Sequence, residues 1–489
     1  MSDVIDPEGR RLPIKVDSTS NGEFEPVPLS PRQRLANRLA QQRASDYAKR
    51  RGVSRRQFLV SACGAASTLL AFNEVHAADR QPGGRFELEP ESALDPELAR
   101  QRLDGDEFIF DVQGHYVNPD GDWLKHTQKG GRPFTWAPKA GCALADEPGR
   151  YSYLECLSAE QFVQDVFMDS DTDMMVLSFV PSLREAEPVT IEDAANTRQI
   201  VADLEGTHRL LIHGRVNPNQ EGDMEAMDEL VERWGVVAWK CYTQWGPDGR
   251  GFFLHDEDYG IPFIERARDL GVRNICVHKG LPFGRESYEH SLCTDIGIVA
   301  KRYPDVNFLV YHSGFIPGEP EGPYDPERGE GIDELCRSVT ENGVGPDANV
   351  YAELGSTWRY LMRDPDSAAH ALGKLFRHIG TQNVLWGTDS IWYGSPQDQI
   401  QAFRTFQIDP SLRERHDYPE ITPALRAQVF GLNATRPYRI SAEEVLRRAR
   451  ADRVQHRRTA YREDPHPHFR TYGPKSRREF LNLLRWGEA

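Results

Sequence analysis

Eight short apolar runs, each separated from the next by a stretch long enough for a helix, constrain the fold of this 489-residue chain more than any other feature. They are Phe108–His115, Met174–Phe179, Leu210–Arg215, Val236–Tyr242, Asn274–His278, Phe308–Gly314, Val350–Gly355 and Asn383–Ser390. Short runs rich in β-branched and aromatic residues, alternating with helical-length segments, read as βα units that feed a parallel sheet. Eight such units over roughly 290 residues suit an α/β fold of the (β/α)8 TIM-barrel type. A doubly wound open sheet is the alternative, and it lacks the Gly-x-Gly-x-x-Gly turn that would follow one of its strands.

The runs end in chemistry. His115, His278, His312 and Asp389 close the first, fifth, sixth and eighth. In a parallel barrel all strand C-termini share one mouth, so these four groups converge there. Three protein ligands with one open position make a catalytic metal site, where the ion lowers the pKa of its water from ~15.7 toward ~7. Lys240 ends the fourth run, Glu353 the seventh, and Arg215 closes the third. All three are candidates to line a substrate pocket, Lys240 by holding a carboxylate; the plainer expectation is a rim salt bridge for Lys240, and for Glu353 and Arg215 a pairing with each other or with water. Trp239, Trp245, Trp386 and Trp392 fall near run ends and fit either an aromatic pocket wall or barrel-top packing.

The remaining sequence frames the barrel. Residues 78–105 are a polar lead-in, 106–440 the barrel, and 441–489 an extension with a net charge of +5, expected to lie as helix on an acidic body. Within 106–440, Pro423–Ile440 opens as a capping helix with Leu425, Val429, Phe430 and Leu432 on its apolar side. The Lys129–Pro133 loop, though glycine-containing, has no helix start behind it and warrants no phosphate reading. The chain's net charge is −16, of which residues 1–77 carry +4. An acidic body argues against nucleic acid as a partner. Seven scattered cysteines without a C-x-x-C pair support neither a zinc knuckle nor a dense disulfide framework.

The first fifty residues, with Pro26, Pro28 and Pro31 among mixed charges, read as a disordered leader, with a basic helix an option over Arg32–Arg51. Ser54-Arg55-Arg56-Gln57-Phe58-Leu59-Val60 follows, then an uncharged run to Phe72 and Val75-His76-Ala77. Paired arginines, a short apolar run and a small-x-Ala site make an export signal over 54–77. It resembles a twin-arginine (Tat) leader, which implies the Tat translocase as a transient partner, cleavage after Ala77 and a periplasmic location.

Over residues 106 to 440 the chain resembles the metal-dependent amidohydrolase superfamily, in the branch of aminocarboxymuconate-semialdehyde decarboxylase. The resemblance is carried by Asp111-Val112-Gln113-Gly114-His115-Tyr116, Val277-His278, His312-Ser313-Gly314, Trp386-Gly387-Thr388-Asp389-Ser390 and Phe430-Gly431-Leu432-Asn433-Ala434. It implies one divalent ion, Zn with Mn as the alternative, on His115, His278 and Asp389. Gln113 stands where the family has the first histidine of His-x-His, a weak ligand or a hydrogen-bond donor to substrate. His312 and Asp389 are implied as the proton-transfer pair, and a lysine at Lys240 bridges two metals in some members. The function so implied is a hydrolase of a small organic substrate using a metal-bound water. Non-oxidative decarboxylation of a carboxylic acid is the alternative, and a non-catalytic small-molecule-binding barrel the reading of another class. A homodimer is the family's expected assembly.

Overall fold

The computed structural model describes residues 6–77, 83–126, 156–205 and 209–481; the Lys129–Pro133 loop lies outside them. Strand β1 (Gly84–Phe86) precedes the barrel. The barrel strands are β2 (Phe110–Gly114), β3 (Met174–Leu177), β4 (Leu210–Ile212), β5 (Gly214–Arg215), β6 (Trp239–Tyr242), β7 (Asn274–His278), β8 (Asn307–Tyr311), β9 (Val350–Glu353) and β10 (Val384–Leu385). All their pairings are parallel, in the orders β2-β3-β4 and β5-β6-β7-β8-β9-β10. The third apolar run is a single stave interrupted at His213, which divides it into β4 and β5.

The seam between β10 and β2 closes the ring. Val112 N–H donates to Trp386 C=O at 3.0 Å, Asp389 N–H donates to Gln113 C=O at 3.0 Å, and Gly114 bridges Ser390. Eight staves therefore close into a (β/α)8 barrel, as the spacing of the apolar runs requires. The outer helices follow ordinary rules. Pro365–His378 starts with proline, buries Ala368, Leu372, Leu375 and Phe376 along one stripe, and ends on Arg377 and His378.

The N-terminal mouth is plugged by the segment Asn433–Tyr438: Asn274 donates to Pro437 C=O at 2.8 Å, and Tyr438 packs edge-on against Phe110. In the preceding turns Leu425, Val429 and Phe430 are buried as expected, whereas Leu432 is exposed. The reason is local. Residues Gln428–Leu432 form a π-helical turn, which rotates position 432 off the apolar stripe. A strand β11 (Phe406–Ile408) pairs antiparallel with β1 beside the barrel. The C-terminal extension docks on the body as expected, with Arg209 gripping Asp452 at 2.7 Å and Arg458 donating to Phe167 C=O at 2.7 Å.

Over the first fifty residues the structure follows the helix expected as the alternative over Arg32–Arg51 rather than a disordered stretch. Residues 6–77 form α1 (Pro31–Arg51), α2 (Arg55–Val60) and α3 (Ala62–Ala77), preceded by an extended strap. Helices α1 and α2 each carry a capping box, on Ser30 with Gln33 and on Ser54 with Gln57. Alanines 36, 40, 44 and 48 recur at every fourth position of α1 and are buried, so a seam of small side chains lets α3 pack closely. Phe58, Leu59, Cys63, Leu69 and Phe72 are buried in the same core. Arg55 donates to Gly9 C=O and Gln41 C=O, and Arg56 to Pro467 C=O. The apolar run read as a signal is thus also the inner face of two packed helices.

Candidate functional site

The strand C-termini carry a cluster of unusual backbone. His312, Ser313, Ser356 and Asp389 all hold positive φ, at 68°, 54°, 54° and 57°. Non-glycine residues in this region cost of order 1–3 kcal/mol each and persist where the surroundings over-determine them. Four at one barrel mouth mark the functional end.

Asp389 is the centre of the first half of the site. Its Oδ1 faces Gln113 Nε2 at 3.1 Å and His115 Nε2 at 3.2 Å. Its Oδ2 accepts from Ser356 Oγ and, at 3.0 Å, from Asn21 Nδ2. Ser356 Oγ in turn lies 2.6 Å from Tyr393 OH, and Trp392 stacks on the His115 ring. Burial alone would raise the Asp389 pKa, but the hydrogen bond and charge of His115, with His312 and Ser356, hold it below the ordinary carboxylate value. Behind it, Asp111 accepts from Gln113 N–H and Thr388 N–H at 3.0 and 3.1 Å, which fixes the turn that presents Asp389. Burial pushes Asp111 up to about 7 against those hydrogen bonds.

The second half is built on β7, β8 and β9. His312 Nδ1 lies 2.7 Å from Gly355 C=O, and His278 Nε2 lies 3.3 Å from Leu281 C=O. A carbonyl only accepts, so those two nitrogens carry the ring protons. The remaining nitrogens, His312 Nε2 and His278 Nδ1, face each other at 3.1 Å. Burial lowers the His312 pKa to about 4, against the charge of Asp389. Glu353 accepts from His312 N–H at 3.0 Å and from Gly355 N–H at 2.5 Å. Burial pushes its pKa up to about 8 against these two donors.

Lys240, on β6, points into the barrel. Its Nζ is buried without a hydrogen-bond partner and sits 3.9 Å from the Tyr311 ring centre and 4.6 Å from that of Tyr242. Burial lowers its pKa, offset by Cys276, Glu23, Glu353 and Asp389. Arg215 does not share this openness. It is paired with Glu187, and with Asp223 at 3.0 Å, and so is neutralised within the wall. Of the four tryptophans Trp392 stacks on His115, Trp386 packs against Phe403 and Phe430, and Trp239 donates to Val272 C=O.

The expected residues therefore gather in two clusters, and among the described residues His115, His278 and Asp389 do not form one group of donor atoms within 4.8 Å. Gln113, His115 and Asp389 form one, His278 and His312 the other. The sequence reading missed Asn21 and Glu23, which enter from the N-terminal strap and stand 90 residues ahead of the barrel. It also missed Ser356 and Tyr393, whose hydroxyls meet beside Asp389.

A family model described as amidohydrolase matches residues 110–440, two thirds of the sequence. The chain belongs to the amidohydrolase family. Among solved structures it is similar to 5-carboxyvanillate decarboxylase from Sphingomonas paucimobilis, at 16% identity over 69% of this chain and 100% of that one, with a TM-score of 0.42. The 5-carboxyvanillate decarboxylase from Novosphingobium aromaticivorans, solved with bound manganese, gives 12% identity over 68% and 97%, with a TM-score of 0.45. The 2,6-dihydroxybenzoate decarboxylase from Rhizobium gives 15% identity over 68% and 99%, with a TM-score of 0.37. No curated protein matches the sequence. The assignment to the fold rests on the family match and on the closure of the eight staves.

A divalent ion suits this donor set. Gln113 Oε1 is buried without a partner, two imidazole nitrogens face each other, and an ionised carboxylate stands beside a third imidazole. Mixed imidazole and oxygen donors accommodate Zn2+ or Mn2+. The carbonyls behind His278 and His312 are the usual outer support of metal-bound histidines.

Proposed function

We propose that the chain catalyses metal-dependent, non-oxidative decarboxylation of a small carboxylic acid at the C-terminal mouth of its barrel. The observation that carries this reading is Lys240, a buried amine without a hydrogen-bond partner beside the site. An unsatisfied buried donor costs about 1–3 kcal/mol, so its retention calls for a ligand. A substrate carboxylate supplies both the acceptor and the countercharge, whereas a neutral ester or amide supplies no countercharge.

The reaction needs one proton: the bond from carbon to the carboxylate breaks, carbon dioxide leaves, and the electron pair left on carbon takes a proton. Glu353, whose affinity for a proton is raised by burial, is the residue assigned as the site's proton store. It converges with the unpartnered Gln113 Oε1 at Gly355, where a Cβ would lie 2.5 and 2.1 Å from their respective Oε1 atoms. A side chain there would displace both groups, so glycine keeps them together. Asp389, held ionised by His115, orients rather than donates. A divalent ion at this mouth would be held by His115, His278 and Asp389, with Gln113 Oε1 as a further oxygen ligand, and would supply Lewis acidity toward the substrate's oxygens. Buried walls of Tyr242, Tyr311 and Trp392 exclude water from the carbanion.

Hydrolysis is the second reading, favoured by the Asp389–His115 contact at 3.2 Å, which is able to accept a proton from water. The two are separated by products. The chain is incubated with Mn2+ or Zn2+ and a panel of aromatic and aliphatic carboxylic acids, esters and lactones, and carbon dioxide and liberated acid are measured. Carbon dioxide release that is lost in Asp389→Asn supports decarboxylation; acid release without carbon dioxide overturns it in favour of hydrolysis.

The compartment is a separate proposal. The Arg55–Arg56 pattern directs the chain to the periplasm through Tat, and because both arginines are engaged in the folded chain, recognition would precede the packing of α2 and α3. Replacing both by lysine and fractionating the cells tests this; unchanged periplasmic accumulation overturns it.

A further inference from the structure

The strap that precedes α1 runs into the barrel mouth. Lys15 N–H donates to Asp398 at 3.0 Å, Arg359 binds Asp17 at 2.9 Å, and Thr19 Oγ1 meets Thr471 Oγ1 at 2.9 Å. Ile14, Val16 and Phe24 are buried along it, and Phe24 packs edge-on against Tyr360. Between these anchors Asn21-Gly22-Glu23 makes a tight turn. Glu23 N–H donates to Asn21 Oδ1 at 2.9 Å, and Gly22 adopts φ of 86°, a left-handed conformation that glycine takes without strain. The turn aims two side chains inward. Asn21 Nδ2 donates to both Asp389 Oδ2 at 3.0 Å and Glu23 Oε2 at 2.6 Å, which ties the strap to the barrel's carboxylate. Glu23 Oε2 lies 3.8 Å from His278 Nδ1.

We propose that Glu23 is a ligand of the divalent ion together with His278 and His312, so that the N-terminal strap supplies a carboxylate to a metal centre otherwise built from barrel strands. This rests on the metal-dependent reading above and extends it to a residue outside the barrel. One donor atom from each of Glu23, His278 and His312 lies within 4.8 Å of the others, and all three residues are buried. His312 Nε2 and His278 Nδ1 lie 3.1 Å apart with the Glu23 carboxylate beside them, so a single cation would be within reach of all three. Glu23 adds an anionic donor beside the neutral amide of Gln113. Carboxylate with imidazole is a donor set for Mn2+ or Zn2+.

The test uses the full chain and Mn2+ as the probe, with affinity from calorimetric titration and coordination from the Mn2+ electron paramagnetic resonance spectrum. Three proteins are compared: wild type, Glu23→Gln and His278→Ala. Glutamine keeps the length of the side chain and can still accept from Asn21, so the strap stays seated. Loss of an outer-shell partner of a metal ligand typically weakens binding 10–100-fold, and loss of a ligand should weaken it at least that much. The expected result is a tenfold or greater loss in Glu23→Gln, an altered spectrum, and a melting temperature without metal that matches wild type. Should Glu23→Gln fold poorly, Glu23→Asp keeps the charge on a shorter arm and is expected to bind with intermediate affinity. Wild-type affinity in both Glu23 variants, with binding lost in His278→Ala, overturns the role of Glu23 and leaves the barrel's metal site standing. Absence of binding in wild type itself overturns the metal-dependent reading and this inference with it.

Discussion

Replacing Phe72 by alanine tests whether the segment 54–77 belongs to the folded body. Phe72 is 1% exposed and lies in the core shared by α1, α2 and α3, with its ring stacked 6.4 Å from that of His76. Removing a buried phenylalanine side chain costs about 3–5 kcal/mol, from lost burial and the cavity left behind. For a body of this size the unfolding entropy, at about 2.1 cal/mol/K per residue, is about 1 kcal/mol/K. The expected drop in melting temperature is therefore about 3–5 °C if the helices unfold with the barrel. Differential scanning calorimetry and urea unfolding of the full chain read this directly. A variant that melts with wild type would refute the reasoning, because it would mean that α1 to α3 open before the barrel and contribute nothing to its stability.

Other outcomes follow from particular contacts. Lys240→Met should raise stability by about 1–3 kcal/mol, since it removes an unsatisfied buried donor, while activity on a carboxylate substrate falls at least a hundredfold; a urea series and initial rates check both halves. Glu334 is pushed up by burial from 4.5 to about 7, against the Cys293 N–H and the charge of Arg337. Its folded pKa is the raised one, so its contribution is fully present below pH 4.5 and is lost as pH rises toward 7, a swing of up to about 3 kcal/mol that Glu334→Gln should flatten in urea melts at several pH values. Asp452→Ala should cost about 3–5 kcal/mol by leaving Arg209 buried without its 2.7 Å partner, and a smaller loss in the same melts would show that the C-terminal extension is loosely held.

The barrel was legible because its signal is local and repeated. Each apolar run needs only its own residues and the helix-length gap after it to declare a βα unit, and eight of them leave few closures open. His115, His278, His312 and Asp389 were legible for the same reason, since a strand end fixes where a side chain goes. The strap was not. Its turn, Asn21-Gly22-Glu23, has no periodicity, and its docking depends on partners such as Asp398 and Thr471 that are hundreds of residues away. Proline and mixed charge mimic disorder when those partners are unseen. The alanine repeat of α1 was the one local sign that the N-terminal region packs against something. Arg215 misled for a related reason: a strand-end arginine looks available until Glu187 and Asp223, from loops outside the strand pattern, are brought beside it.

A barrel mouth that holds one divalent ion through His278 and its neighbours should retain that ion on purification. Elemental analysis of the purified full chain beside His278→Ala, after both are reconstituted with Mn2+ or Zn2+ and desalted, tests it most directly. The expected result is about one equivalent of metal per wild-type chain and a clear loss in the variant. Equal metal in the two proteins, or none in either, would contradict it.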